Sequence, residues 1–365
     1  MSMSSLYRGE VLSLEIYGES HSPTIGVYIE GLPEGVSPDE EKTAALMARR
    51  APGQNAWSTP RKEKDAVIFE KEGDKLHGYI VNTNTKPKDY ASIMNMPRPS
   101  HADFTARIKY GDEASKSGGG IFSGRMTAPL CIAGSIALNE LNKRGIEIYS
   151  HVKSIAGVSD ETYFDNSPLS TEFKSKLETV KTKEFPVVDD AKGEAMKEKI
   201  AAAREELDSV GGIIETVVYG MPAGIGGPIF GGIEAKVATL LYAIPAVKGV
   251  EFGNGYEVAN LKGSENNDSF VMCDGKVTME TNHSGGILGG ISVGGSVAPI
   301  VVDCAIKPTP SISREQKTVD ISKQENAVIA IHGRHDPCIV PRAVPVTEAA
   351  VAIALYDMIL ATEGK

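Results

Sequence analysis

Four polar segments of the sequence combine ionisable side chains with glycine or proline. They are GESH at 18–21, RPSHAD at 98–103, SGGGIFSGR at 117–125 and GRHDP at 333–337. Histidine is the usual acid or base near neutral pH, and the planar guanidinium group of arginine matches phosphate and carboxylate geometry. Together the segments predict a site for a small molecule that carries several negative charges.

Each segment also has a simpler structural explanation when it is taken alone. A histidine in a loop is more often a hydrogen-bonding surface residue than a catalyst. A glycine run is more often a tight turn than a phosphate cradle, because the chain contains neither a P-loop nor a dinucleotide-binding fingerprint. The arginines Arg49, Arg50 and Arg61 resemble an ordinary solvated cluster. We find no metal-ligand spacing and predict no metal.

The bulk composition narrows the classes of function. The 365 residues carry a net charge of −10, which argues against nucleic-acid binding but leaves room for a locally positive cleft. The four cysteines are widely separated and form no CxxC pair, as expected for reduced thiols in a cytoplasmic protein. The N-terminus lacks the features of a signal peptide. No uninterrupted apolar run is long enough to cross a membrane.

Hydrophobic periodicity predicts an α/β (α+β) fold in a single large domain, residues 1–365. Alternating residues predict strands at 11–17 and 24–30. A helix is expected to begin at the N-cap Ser37 and to end near Arg49, because Pro38 and Glu40 follow the serine. Residues 83–120 are expected to form a long functional loop. Further elements are predicted as strands at 65–71, 77–82 and 326–331 and helices within 128–144, 191–207 and 347–362.

Two short stretches of the chain resemble each other. YIEGLPEGV at 28–36 and VVYGMPAGI at 217–225 both end a predicted strand with glycine, an apolar residue, proline, one variable residue and glycine. The match indicates two related halves, roughly 1–150 and 151–365, or it is a chance match in a chain with 38 glycines.

Segments in a fixed order across nearly the whole chain resemble the signature segments of the chorismate synthase family. They are GESH with PTIGVYIEGLP, RPSHADF, GGG with SGR, and KPTPSISREQKTVD followed by GRHDPCIVPRAVPVTEA. The resemblance implies one body of two related sheet-and-helix halves, assembled as a homotetramer. It also implies a lyase that makes chorismate and phosphate from 5-enolpyruvylshikimate 3-phosphate by 1,4-anti elimination, the last step of the shikimate pathway for aromatic amino-acid biosynthesis.

The resemblance also implies a cofactor and specific residue roles. The cofactor is reduced FMN, with NADPH as indirect reductant and an external flavin reductase. His21 matches the acid that assists phosphate departure, His101 the histidine that protonates or stabilises the reduced flavin, and Asp336 the carboxylate that works with flavin N5 on the C6 proton. The substrate contacts correspond to Arg50, Arg98, Arg125 and Arg334. The flavin contacts correspond to Arg50, Ser123, Pro245, Ala246, Gly289, Lys307, Pro308, Thr309, Pro310, Ser311 and Arg334.

The sequence departs from the family pattern at several arginine positions. Ala51, Ala56, Ser117 and Ile121 stand where the family usually has arginine, and Phe122 stands where it has serine. These departures leave open a flavin-binding protein of the same fold without lyase activity. A second alternative is a non-enzymatic anion-binding or assembly protein.

Overall fold

A computed structural model describes residues 4–51, 65–82, 95–111, 119–331, 333 and 335–364 of the chain. Two five-stranded antiparallel sheets, with a layer of helices between them, form the centre of the described part of the chain. This arrangement confirms the α+β fold class expected from the sequence. All four cysteines are free, also as expected, and burial raises the pKa of the Cys131, Cys304 and Cys338 thiols to about 12.

The first sheet contains the strands of the N-terminal part of the chain. Its strands are β1 (Ser5–Arg8), β2 (Ser13–Tyr17), β3 (Thr24–Glu30), β4 (Val67–Glu72) and β5 (Lys75–Val81). They lie in the order β1-β2-β3-β5-β4. The periodicity therefore located four strands within a few residues. It missed β1, because four largely exposed residues are too few to show an alternating pattern.

The second sheet contains strands from the rest of the chain. Its strands are β6 (Glu147–Ile155), β7 (Val158–Ser159), β8 (Gly212–Tyr219), β9 (Val247–Phe252) and β14 (Ile300–Ile306). They lie in the order β7-β6-β8-β14-β9. The other strands of the described residues form three small hairpins: β10 (Phe270–Cys273) with β11 (Lys276–Met279), β12 (Ile287–Leu288) with β13 (Ile291–Ser292), and β15 (Gln316–Asp320) with β16 (Glu325–Ile329).

Two long helices form the centre of the layer between the sheets. The α-helices within the described residues are α1 (Glu40–Arg50), α2 (Asp103–Tyr110), α3 (Thr127–Lys143), α4 (Thr171–Val180), α5 (Asp190–Glu205), α6 (Ile233–Ala243), α7 (Gly263–Asn266) and α8 (Val340–Glu363). Helix α3 packs on the first sheet, α8 packs on the second, and the two helices pack on each other. Helices α1 and α6 contact α8, whereas α4 and α5 contact strand β6.

The two sheets repeat one order of elements. The chain runs β2, β3, α1, β4, β5, α3 in the first part and β6, β8, α6, β9, β14, α8 in the second. Within the sheets these strands lie in the matching orders β2-β3-β5-β4 and β6-β8-β14-β9. The glycines that follow β3 and β8 also correspond. Gly31 has φ +84° and Gly220 φ +75°, and a Cβ at either would meet a backbone oxygen at 2.0 Å.

The N-cap predicted for α1 is wrong by two residues. The helix begins at Glu40, and its N-cap is Asp39, whose carboxylate accepts the backbone N–H of Lys42 at 3.1 Å. Aspartate caps as well as serine does, so the sequence pattern alone did not separate the two positions. The loop expected at 83–120 also needs correction, because α2 lies within it. Residues 83–94 and 112–118 of that loop lie outside the described residues.

The last helix begins seven residues before the predicted position. Pro341 lies in its first turn, where no intrahelical N–H bond is required, and Pro345 lies inside it. The helix tolerates Pro345 because almost every residue of α8 is buried between its neighbours. By length and mean composition α8 is apolar enough to cross a membrane, although Arg342, Glu348 and Asp357 interrupt its apolar residues, and its apolar window is entirely buried in the protein.

Candidate active site

A cavity of about 840 Å³ lies where several elements meet. Its wall contains the end of α1, the turn before α2, the segment leading into α3, the connection between α6 and β9, the segment after β14, and the start of α8. This volume falls within the range of roughly 300–1,000 Å³ that is typical of small-molecule sites. Three of the four polar segments that the sequence singled out contribute lining side chains.

The wall of the cavity is strongly cationic. Among the described lining residues, six are arginine or lysine and one, Asp336, is a carboxylate. The cations are Arg50, Arg98, Arg125, Lys248, Lys307 and Arg342. Because the whole chain carries a net charge of −10, this local excess of positive charge would attract anions against the overall charge of the protein.

Two of the arginines share one buried carboxylate. Asp65 lies just before β4, where its Oδ2 accepts Arg50 Nη2 and its Oδ1 accepts Arg125 Nη1. Burial alone would raise the pKa of Asp65, but the charges of both arginines outweigh burial and hold the pKa below its usual value. Arg125 also donates to Asn82 Oδ1 through Nη2 at 3.0 Å. The two guanidinium groups are thus held at one side of the cavity.

A second group of charges occupies the turn before α2. Asp103 accepts Arg98 Nε and Nη2, both at 2.7 Å, and lies 2.6 Å from His101 Nδ1. Burial alone would raise the pKa of Asp103, but Arg98 and His101 hold it well below its usual range. His101 Nδ1 also lies 3.0 Å from Arg98 Nη2, so both charged groups contact this nitrogen of the cavity-lining histidine. Arg98 also donates to Ser311 Oγ at 3.1 Å.

The GRHDP segment faces the start of α8. Asp336 Oδ2 accepts Arg342 Nη1, and Arg342 Nε donates to the backbone oxygen of Arg50 at 3.1 Å. His335 and Asp336 both line the cavity. Arg334 lies outside the described residues, so its assigned contacts stay a prediction.

The residues assigned to the flavin lie partly on the cavity. Pro308 and Gly289 are not among the side chains that line it. Gly289 belongs to the turn between β12 and β13, and that hairpin packs near Gly226 and Gly232. The segment after β14 is tied to the RPSHAD turn, because Lys307 Nζ donates to the backbone oxygen of Ser100. The assigned residues that do line the cavity are Arg50, Ser123, Pro245, Ala246, Lys307, Thr309, Pro310 and Ser311.

His21 is not among the lining side chains, although its loop adjoins the cavity. Gly18 lines the cavity, and the backbone N–H of Ser20 donates to the oxygen of Gly120 at 3.2 Å. Asn82 Nδ2 donates to the oxygen of Ser22 at 2.7 Å, which connects this loop to Arg125. The structure therefore brings the GESH loop to the edge of the site.

Apolar side chains make up much of the remaining wall. Ile121 and Phe122, which replace an arginine and a serine of the family pattern, both line the cavity. The Phe122 ring lies 6.3 Å from the Tyr110 ring. Ala51 lies at the end of α1 without a charged side chain, whereas Ala56 and Ser117 lie outside the described residues.

Sequence reasoning missed four polar residues of the site. Lys248 and Arg342 line the cavity. Asp65 and Asn82 do not line it but accept hydrogen bonds from Arg125, which does. Arg342 was visible in the segment that follows GRHDP, at the start of the last helix. Asp65, Asn82 and Lys248 stand at strand ends without a distinctive neighbour, so no local signal separates them from ordinary surface residues.

The structure also forms one possible metal-ligand group that spacing did not indicate. Ligand atoms of Glu70, Glu72 and His77 lie within 4.8 Å of one another on β4 and β5. Tyr79 donates to Glu70 at 3.0 Å, and Tyr17 Oη lies 2.9 Å from His77 Nε2. Hydrogen bonds within the sheet therefore already engage two of these three side chains, and none of the three lines the cavity.

Comparisons with known proteins agree on one family. Residues 12–360 match a family model described as chorismate synthase. The chain is 43% identical to the chorismate synthase of Lancefieldella parvula over 363 residues, covering 96% of this chain and 94% of the relative. It is 44% identical to that of Methanosarcina mazei over 359 residues, covering 96% and 95%. A solved structure described as a crystal structure of chorismate synthase superposes with a TM-score of 0.75 at 27% identity, covering 99% and 94% of the two chains.

Proposed function

The chain belongs to the chorismate synthase family, and we propose that it converts 5-enolpyruvylshikimate 3-phosphate to chorismate and phosphate with the help of reduced FMN. Family membership supports a lyase that acts in the last step of the shikimate pathway. The 1,4-anti course of the elimination, the cofactor and the residue roles are parts of the proposal.

The charge of the cavity is the observation that carries the proposal. The substrate bears one phosphate and two carboxylates, and six described cationic side chains line the wall beside a single carboxylate. Arginine pairs with both kinds of anion through two parallel hydrogen bonds. We assign the substrate anions to Arg50, Arg98 and Arg125, with Arg334 kept as a fourth predicted contact.

Three side chains are assigned to proton transfer. Asp336 faces the cavity, where Arg342 orients its carboxylate to take part in removing the C6 proton. His101 Nδ1 lies against Asp103. We assign to Nε2 of the same ring the proton that stabilises negative charge in the cavity. His21 is assigned to protonation of the departing phosphate, from the loop bonded to Gly120.

The cavity has the mixed lining that a flavin needs. The ring system would lie against apolar surface such as Ile121, Phe122 and Met126, and the phosphate tail would meet Lys307 and Ser123. When bound, reduced FMN supplies electron density to the substrate as phosphate leaves. The residues of this chain bind and orient both molecules and keep water out of the site.

The proposal extends to the setting in which the enzyme works. We assign the flavin's reduction to an external reductase that uses NADPH, and the location to the cytoplasm. We also propose a homotetramer. Ile229, Phe230 and Tyr256 support assembly, because their exposures of 80%, 87% and 79% are high for large apolar side chains.

An anaerobic assay tests the proposal. Purified protein is mixed with photoreduced FMN and 5-enolpyruvylshikimate 3-phosphate, and chorismate absorbance and phosphate release are followed together. We expect equal amounts of both products with reduced FMN and neither with oxidised FMN. Bound FMN without product would contradict the lyase and favour the inactive flavoprotein. Failure to bind FMN or substrate would favour the non-enzymatic alternative.

A further inference from the structure

One buried carboxylate holds two of the cationic side chains of the cavity. Asp65 uses each of its oxygens for a different guanidinium group, Oδ2 for Arg50 and Oδ1 for Arg125. Its side chain is 2% exposed, and those of Arg50 and Arg125 are 3% and 9% exposed. A buried ion pair is sensitive to the loss of one partner, because the other charge remains without compensation.

Asp65 itself does not line the cavity, whereas both arginines do. Any effect of Asp65 on a bound molecule must therefore pass through the two arginines. The three groups together carry one net positive charge, which remains available to an anion. Arg50 Nε is buried and has no hydrogen-bond partner among the described residues. A buried N–H without a partner is unusual, and its desolvation adds to the cost of holding Arg50 in this wall.

Hydrogen bonds from other elements complete the arrangement. Arg50 Nη1 donates to Thr127 Oγ1 at 3.4 Å, and Arg125 Nε and Nη2 donate to Asn82 Oδ1 at 3.3 and 3.0 Å. Without Asp65, two like charges would face each other in a poorly solvated wall and would repel. The carboxylate thus offsets the electrostatic repulsion between the two guanidinium groups.

We propose that Asp65 is a positioning residue that pre-organises Arg50 and Arg125 as a paired cradle for the phosphate group of the substrate. The inference rests on the proposed function for the identity of the phosphorylated molecule. The cradle itself is a property of the folded protein, so its affinity for inorganic phosphate is measurable without turnover. Pre-organised donors bind an anion more tightly because they lose less freedom on binding.

The chain offers a closely matched control on the same helix. Arg49, the residue before Arg50, donates to both oxygens of Glu348 at 2.7 and 2.9 Å, and the Glu348 side chain is 1% exposed. Arg49 does not line the cavity. Glu348→Gln therefore removes a buried carboxylate from an arginine of α1, as Asp65→Asn does, but away from the site.

The experiment compares Asp65→Asn, Asp65→Glu and Glu348→Gln with the wild-type protein. Binding of inorganic phosphate is measured by calorimetry, kcat and KM by the anaerobic assay, and Tm by thermal unfolding. For Asp65→Asn we expect a roughly tenfold higher Kd for phosphate and a fall in kcat/KM of about a hundredfold. The larger share should be in KM, because the arginines contact the anion in the ground state as well. Asp65→Glu should have values of Kd and kcat/KM between those of the wild type and Asp65→Asn, because glutamate keeps the negative charge but places it one methylene further from the backbone.

The control variant separates the positioning of the two arginines from the overall stability of the fold. Glu348→Gln should lower Tm, as Asp65→Asn does, and leave the Kd for phosphate and KM unchanged. Wild-type phosphate affinity and KM in Asp65→Asn would overturn the inference, as would an equal loss of phosphate affinity in Glu348→Gln. If Asp65→Asn does not fold, wild-type values in Asp65→Glu would overturn it as well. If wild-type protein releases no product but Asp65→Asn still weakens phosphate binding, the proposed function fails and the cradle stands.

Discussion

Two groups of charged side chains in this protein differ in whether they face a cavity. The first lines the candidate site, with six cations and one carboxylate among its described wall residues. The second is sealed on the face of the second sheet that α4 and α5 cover, and it consists of His151, Lys153, Asp160, Glu215 and Asp303. Its positive and negative charges nearly balance.

Most charged atoms of the sealed group are paired within the group. His151 contacts Asp160 through Nδ1 at 3.2 Å and Glu215 through Nε2 at 3.0 Å. Burial alone would lower the pKa of His151, but the hydrogen bonds to both carboxylates raise it to about 9. Asp160 also accepts the backbone N–H of Val188, and Glu215 accepts that of Tyr163. The group therefore fastens outer segments of the chain to the sheet.

This contrast shows which feature identifies a functional site here. Buried ionisable residues and a shifted pKa occur in the sealed group as well as at Asp65 and Asp103 beside the cavity. A shifted pKa alone is thus a weak indication of function. An excess of one sign of charge, facing a space that fits a small molecule, distinguishes the candidate active site.

The largest effect is expected at Asp336, which faces the cavity. Asp336→Asn should lower kcat by about 10²- to 10⁴-fold, because a carboxamide cannot accept the proton. Steady-state kinetics under anaerobic conditions measures this, and FMN binding should persist. Asp74→Asn, in the exposed turn between β4 and β5, is the control and should leave kcat unchanged. A kcat of Asp336→Asn within twofold of wild type would remove Asp336 from the proposed chemistry.

A substitution in the sealed group is expected to lower the stability of the protein and not its activity. Glu215→Gln removes one of the two carboxylates that pair with His151 and one of the two that pair with Lys153, which should lower the free energy of unfolding by about 3 kcal/mol. Urea denaturation measures the change. The folded variant should keep a wild-type kcat. A lowered kcat with unchanged stability would contradict the distinction between the two groups.

The pH dependence of stability should come partly from His151. Its pKa is about 9 in the folded protein and about 6.5 when unfolded. The stabilisation is therefore complete below about pH 6.5 and is lost as the pH rises towards 9, by roughly 3 kcal/mol. Urea denaturation of wild type and His151→Gln between pH 6 and 9.5 measures it. Parallel curves for the two proteins would show that His151 does not titrate in this way.

Substitutions of exposed charged residues should have the smallest effect on stability and activity. Lys75 and Glu30 form a salt bridge at 2.5 Å, but their side chains are 41% and 43% exposed. Solvent and salt screen such pairs, so Lys75→Ala should leave the urea midpoint within experimental error of wild type and kcat unchanged. A clear loss of stability that vanishes at high salt would contradict this expectation. It would show that an exposed ion pair contributes measurably to the stability of the fold.

The parts of the site that lie close together in sequence were predictable. Arg98, His101 and Asp103 fall within six residues of one another, and the structure joins all three. The cluster of Arg50, Asp65, Asn82 and Arg125 was not predictable as a unit, because it spans 76 positions and four elements or their ends. Helix α4 was likewise missed, because its charged residues hide the buried Phe173, Leu177 and Val180.

The sequence by itself determined the α+β class, four strands of the first sheet and the segments that carry the chemistry, since these depend on local periodicity and composition. Only the tertiary structure decided which carboxylate holds which arginine. Arg49 and Arg50 are identical neighbours, yet successive residues of a helix point about 100° apart. One arginine therefore meets Glu348 in the helical layer, and the other meets Asp65 beside the cavity. That difference depends on how distant elements pack around α1, which no local pattern in the sequence records.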